Sequence, residues 1–168
     1  MQNAKDTFYE GLRGRVAAGN PDRTVVLRGV TRPGVLVTEN ELLSGGELPD
    51  CFRMSWGAVK VDASGDVPMV AMECEIAYET AGTALNAGMD RGRCLGAMDG
   101  ELLAAVNAWP RRAVKQNYAG LAFGNAVVAM KTNIWWGDLV FGDVTVNGDR
   151  LARTAKVSVM SYEEPGEL

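Results

Sequence analysis

The sequence predicts a single α+β domain: a mainly antiparallel or mixed β-sheet with an N-terminal helix and one long central helix packed on it. Three observations carry this prediction. Apolar and polar residues alternate along a long hairpin between Phe52 and Thr80, the period of a strand with one buried face. Residues 4–18 and 89–108 instead repeat apolar residues every three or four positions, the period of an amphipathic helix. The chain has 168 residues, 47% hydrophobic and 23% charged. That is enough for one core burying roughly 70% of the unfolded surface without a metal or disulfide.

Element by element, Phe8, Leu12 and Val16 make one apolar stripe in the first helix. Asn3 is placed to cap its start, Asp6 suits the positive end of its dipole, and Gly19-Asn20-Pro21 ends it. Gly11 and Gly14 lower its propensity, so packing must hold it. Residues 24–30 and 35–37 read as strands around a turn at Arg32-Pro33-Gly34. Residues 39–50 read as a flexible loop. Phe52, Met54 and Trp56 then alternate, Gly57 breaks the phase as a bulge would, and Val59 and Val61 resume it. Across the turn at residues 63–66, residues 67–80 place Val70, Met72, Cys74, Ile76 and Tyr78 on one face. Ala71, Glu73, Glu75, Ala77 and Glu79 fall on the other. A second flexible loop, residues 81–88, leads to the central helix with its stripe of Leu95, Met98, Leu102, Ala105 and Trp109, closed by Pro110. Residues 111–131 show no firm period. Strands follow at 133–141, 144–146 and 153–162, with a tight turn at Asn147-Gly148-Asp149. Residues 163–168 read as a frayed acidic tail.

The chain holds no histidine, which removes Ser-His-Asp and Cys-His catalysis and most zinc and haem sites. No phosphate-loop or dinucleotide motif occurs. Cys51, Cys74 and Cys94 are odd in number and never in C-x-x-C, so they read as buried free thiols. Arg91 and Arg93 could lower the Cys94 thiol. No cofactor or metal site is expected. Net charge is −4, a poor basis for sequence-specific nucleic-acid binding; the five arginines between Arg13 and Arg32 read as a solvated helix face and strand flanks. No apolar run is long enough to span a membrane, and no signal peptide is visible.

Two features carry functional readings. Glu73 and Glu75 lie at i, i+2 on one strand face, about 7 Å apart, as two-carboxylate chemistry would want. A solvent- or interface-facing hairpin side explains them more simply. Trp135 and Trp136 are neighbours on a strand and must point to opposite faces, one into the core and one onto the second face. That second face is an interface or lies beneath a helix. Leu42, Leu43 and Leu48 sit in the otherwise polar loop 39–50. They pack under it or dock on a partner. These leucines and the two tryptophans are the candidate assembly contacts, and loops 39–50 and 81–88 the candidate docking segments.

The order of elements resembles a known family. An N-terminal helix with Phe8-Tyr9 and Leu12 leads into a strand. A long hairpin ends in residues 70–78, and a helix opens with Met89-Asp90-Arg91-Gly92-Arg93. A late strand carries tryptophan, and the closing strand reads Ala155-Lys156-Val157-Ser158-Val159. From about Asn3 to Tyr162 this resembles the tail terminator (minor tail protein U-like) subunits of tailed phages and related contractile particles. The resemblance implies a mixed α/β subunit with helices on a sheet and no catalytic residues. Six copies would form a ring that caps the tail tube, stops its polymerisation and docks on the head connector. Its partners would be itself, the tail tube protein and the head-tail connector protein. It would be made in the host cytoplasm and incorporated at the end of a particle's tail. An acidic ring lumen would not hold passing DNA. The nearest alternative is a head-completion or connector protein. The alternative of another class is a small-molecule-binding protein or a carboxylate-dependent enzyme using Glu73 and Glu75.

Overall fold

A computed structural model describes residues 1–41, 50–165 and 167 of the chain. Helix α1 (Gln2–Gly19) buries Phe8, Leu12 and Val16 as their spacing requires, and Ala4, Thr7 and Tyr9 beside them. Asn3 does not cap it. Met1 occupies the cap position without a side-chain bond, and Asn3 Nδ2 donates instead to Glu167 Oε1 at 3.1 Å.

The first hairpin departs from expectation. Strands β1 (Thr24–Leu27) and β2 (Val30–Pro33) pair antiparallel. The turn between them is Arg28-Gly29, with φ of +50° and +79°. Two left-handed central residues suit a two-residue hairpin, so Arg32-Pro33 closes a strand and makes no turn. Strand β3 (Val35–Val37) is buried and runs parallel to β4 (Phe52–Asp62). Its neighbour beyond β4 is β5 (Met69–Thr80), antiparallel, with the register shifting between Trp56 and Val59 where Gly57 predicts a bulge.

Helix α2 (Arg91–Asn107) buries Leu95, Met98, Leu102 and Ala105 as predicted, but not Trp109. The helical backbone ends at Ala108, whose ψ is 127°; Trp109 is thrown outward, and Val106 takes the core position. Residues 111–131, unreadable by period, supply β6 (Arg112–Asn117), a short 3₁₀ turn and the start of β7 (Val128–Trp136). Strand β8 (Val140–Phe141) is separate from β7; β9 (Thr145–Asn147) and β10 (Arg150–Tyr162) follow. The main sheet runs β3-β4-β5-β10-β7-β6, with β8 and β9 also paired to β10. The inward row of β5 meets Ala155, Val157 and Val159 of β10, and both helices pack over it.

Aromatic and polar contacts lock the helices down. The Phe8 ring meets those of Trp136 and Trp56 edge-on at 5.4 and 6.1 Å. Arg15 of α1 donates to the carbonyls of Ala105, Ala108 and Pro110 at 3.1, 2.8 and 2.7 Å. It thereby satisfies carbonyls that the end of α2 would leave open, while its guanidinium lies 4.8 Å from the Trp136 ring centre. Tyr78 and Arg153 both donate to Asp99 of α2.

The segment after β10 is not frayed at its described residues. Glu163 is buried and its N–H donates to Pro68 O at 2.9 Å, while Glu164 and Glu167 are bonded to β7 and β6. No helix among the described residues is long and apolar enough to cross a membrane. Ile76 is fully buried at the middle of β5. Ile76→Ala should cost about 3 kcal/mol from lost transfer energy and a residual cavity, read as a lower urea midpoint with an unchanged m-value.

Candidate assembly surface

Helix α2 answers two demands on opposite sides. A surface helix normally turns charge to solvent. The outer side of α2 instead shows Gly92, Gly96, Gly100, Ala104 and Ala108 at four-residue spacing, all exposed. A Cβ built on Gly92, Gly96 or Gly100 meets nothing within 4 Å. No packing inside the subunit therefore asks for glycine there. Each nonetheless costs the helix about 1 kcal/mol relative to alanine. Arg93, Ala97 and Leu103 are exposed alongside the row, so one charge stands at its start. The carboxylates nearby are engaged sideways, Asp99 by Tyr78 and Arg153, Glu101 by Arg23 and Asn20. Between the lower half of the row and the end of α1 runs a groove of about 510 Å³, floored by Ala18, Gly19, Gly100, Ala104 and Ala108.

Apolar side chains stand at both ends of α2. Before it, Leu85 and Met89 are 98% and 88% exposed; after it, Trp109 is 85% exposed. The 17-residue helix separates the two ends by roughly 25 Å. The loop before α2 is not the flexible segment its composition suggests. The Asp90 carboxylate accepts from Thr83 N (2.8 Å), Thr83 Oγ1 (2.7 Å) and Asn86 Nδ2 (3.0 Å). Those bonds, led by that of Asn86, hold its carboxyl far below the usual range. Gly82 and Gly88 take φ of +75° and +76°, and a Cβ on either would lie within 3 Å of neighbouring atoms. Leu85 and Met89 are thus presented on a built turn, which lowers the ordering cost of a contact.

The sequence-predicted residues fall as follows. Leu42, Leu43 and Leu48, with most of loop 39–50, lie outside the described residues. Trp136 is core: its Nε1 donates to Val106 O at 2.9 Å beneath α1, which takes it out of any outer contact. Trp135 lies on the other face, half-buried, its ring 5.4 Å from that of Tyr162. Glu73 and Glu75 do share a face, but Lys156 of β10 sits between them, 3.0 Å from one carboxylate and 2.7 Å from the other. The three make an exposed cross-strand ion cluster, and those bonds, Glu75 first, push the lysine's affinity for its proton up. Cys94 is raised, by desolvation and then by Asp90, not lowered by the arginines; burial pushes Cys51 up to about 11. Of the five arginines between Arg13 and Arg32, Arg13 pairs with Glu10 on the helix face and Arg28 is exposed at the β1–β2 turn, as the solvated reading has it, whereas Arg15 caps α2 and Arg23 holds Glu101 and the Asp50 carbonyl. Among the described residues, no three His, Cys, Asp or Glu side chains converge as a metal ion would require.

The buried stripe of α2 does not reveal the glycine row, which runs on the opposite side of the helix. The signal is there to read: small residues every fourth position from Gly92 to Ala108, out of phase with Leu95, Met98 and Leu102.

No protein-family model matches the chain, and no curated protein matches it. Among solved structures, the chain is similar to one described as "Virion of native gene transfer agent (GTA) particle". Identity is 17%, the match covers 93% of this chain and 91% of that chain, and the TM-score is 0.33.

Two outcomes follow from these contacts. Gly96→Ala with Gly100→Ala should raise the stability of the dilute subunit by about 1–2 kcal/mol, from propensity alone, measured by urea denaturation. Glu73→Gln with Glu75→Gln should leave the thermal midpoint unchanged by circular dichroism, because the ion cluster is exposed and screened.

Proposed function

We propose that this chain is a structural subunit of a phage-like tail. In this reading it forms a ring, six copies in the family it resembles, that terminates the tail tube and joins it to the head connector. The observation that carries the proposal is the outer side of α2. Glycines that weaken a helix and serve nothing within the subunit have a use where another backbone must come close. A small-residue face lets it do so, and burial there recovers the lost propensity.

The geometry suits a head-to-tail contact. An isologous contact uses one patch twice, whereas a ring needs two different patches related by a closing rotation. The exposed apolar groups at opposite ends of α2 supply two such patches. The partners in this reading are other copies of the chain, the tail tube protein and the head connector protein. The order of elements from Asn3 to Tyr162 supports the terminator within the wider class of particle proteins. The acidic net charge of −4 suits a lumen that DNA passes without sticking.

Electron microscopy and sedimentation of the purified chain test this directly. Rings of about six subunits are expected at high concentration, with antibody label at the head-proximal end of tails in purified particles. Gly96→Gln with Gly100→Gln puts bulk on the row while improving the helix. That variant should fold at least as stably and sediment as a monomer. A wild-type chain that stays monomeric and never co-sediments with particles would sink the proposal. Label on the head rather than the tail would favour the connector reading.

A further inference from the structure

Strand β7 outruns its neighbour. Strand β10 pairs with it only from Ile134 to Trp136, because β10 ends at Tyr162. Across 128–133 no strand of the described residues lies on the β10 side, and β6 pairs only with Val128, Ala129 and Asn133, the register shifting between them so that residues 130–132 bulge. The far half of the β6–β7 hairpin therefore extends past β10 as an arm, backed by α1, whose Thr7 Oγ1 accepts the Gln116 N–H at 2.9 Å. At its far end Leu121, Phe123 and Val128 are exposed, Phe123 by 83%.

The chain that follows β10 fills the gap with side chains. The Glu164 carboxylate accepts the N–H of Lys131 at 2.7 Å, that of Thr132 at 2.8 Å and the Thr132 hydroxyl at 2.9 Å. Consecutive N–H groups of a regular strand point to opposite sides, so one carboxylate taking both holds the bulge in β7 rather than a ladder position. The Glu167 carboxylate accepts from Lys115 Nζ of β6 at 2.6 Å, from Glu164 N at 2.7 Å and from Asn3 Nδ2 of α1 at 3.1 Å. Lys115 is 0% exposed, and its ammonium also donates to Tyr162 O at 2.5 Å and Ser161 Oγ at 3.2 Å.

We propose that Glu164 and Glu167 form a two-point clamp that sets the stance of the β6–β7 arm, and so where Leu121, Phe123 and Val128 are presented. One carboxylate holds β7, the other holds β6 and α1, and the Glu164 N–H joins them. Withdrawing Glu167 would leave a buried ammonium with neutral acceptors only. Withdrawing Glu164 would leave two main-chain N–H groups without acceptors. The segment therefore holds or releases as a unit. What the arm touches belongs to the ring reading above; the clamp itself does not depend on it.

Burial pushes both carboxyls up, but the bonds to Thr132 and Lys131 for Glu164, and to Lys115 for Glu167, outweigh it and leave both below the ordinary glutamate range. Lys115 is the charged group facing both; Asn3 and the β7 main chain supply the other donors. A depressed folded value means that the clamp contributes fully above the ordinary value of 4.5 and is lost as pH falls through the depressed one.

Amide hydrogen exchange on the full chain, followed by NMR, tests the clamp. In Glu164→Ala, and in Glu164→Ala with Glu167→Gln, the amides of Lys131 and Thr132 should exchange roughly tenfold faster or more. Those of Trp136, held by Arg111 O, and Gly137, held by Ser158 O of β10, should keep their rates. Unaltered exchange at Lys131 and Thr132 would overturn the proposal. Should the variants fail to fold, the wild-type protein still decides. The amide shifts of Lys131 and Thr132 should titrate in step with the Glu164 carboxyl carbon below about pH 4.5. Amide shifts that ignore that carboxyl would overturn it equally.

Discussion

Strand β10 is the constraint on which the rest depends. Along one edge it matches β5 from Leu151↔Thr80 to Tyr162↔Met69 without a break. Along the other it takes β9, β8 and β7 in turn. One register thus positions the long hairpin, two short edge strands and the arm. A slip of one residue would turn Ala155, Val157 and Val159 out to solvent and Lys156 and Ser158 into the core. The burial of those three side chains is what holds the register, and the inner row of β5 repeats the demand across the pair. The helices lie on the surface so made, and the Asp99 contacts to Tyr78 and Arg153 tie α2 to both central strands.

Acidic side chains here do structural work far more visibly than chemical work. Asp90 closes the turn before α2, Glu101 joins α2 to Arg23, Glu79 of β5 pairs with Arg150 of β10 at 2.6 Å, and Glu164 and Glu167 bond the bulge of β7 and Lys115 of β6. Glu73 and Glu75, the pair with the right spacing for catalysis, share one lysine on an open strand face. A carboxylate that must act as acid or base is usually set apart from its neighbour by burial or by a different environment. These two stand in the same environment.

In the proposed ring, the outer side of α2 is where stability within the subunit and assembly between subunits pull apart. A helix optimised for the isolated chain would replace Gly92, Gly96 and Gly100 with almost anything else. Their presence costs the isolated subunit, and the proposed ring would cover the face they form. The closed turn carrying Leu85 and Met89 follows the same logic: apolar groups held out rigidly in water gain only when another surface covers them.

The sequence by itself determined the elements whose period one buried face dictates. Phe8, Leu12 and Val16, the inner row of β5, and Leu95, Met98 and Leu102 were legible because a core imposes 3.6- or 2-residue spacing wherever the chain passes over it. The Gly57 bulge was legible for the same reason, as a break in phase. Only the tertiary structure decided the rest. Strands β6 and early β7 carry no clean alternation, because their arm lies largely outside the core. Trp109 kept the spacing of the α2 stripe yet faces solvent, because the backbone leaves the helix at Ala108. Trp136 and Trp135 had to point oppositely, but which one α1 would cover depended on where β10 set the register. The acidic stretch after Tyr162 looked like a free end because its partners, Lys115 and Thr132, lie 52 and 32 residues away in sequence from Glu167 and Glu164. Charge pairing at that distance leaves no periodic trace; it exists only once the sheet has brought β6 and β7 to the end of β10.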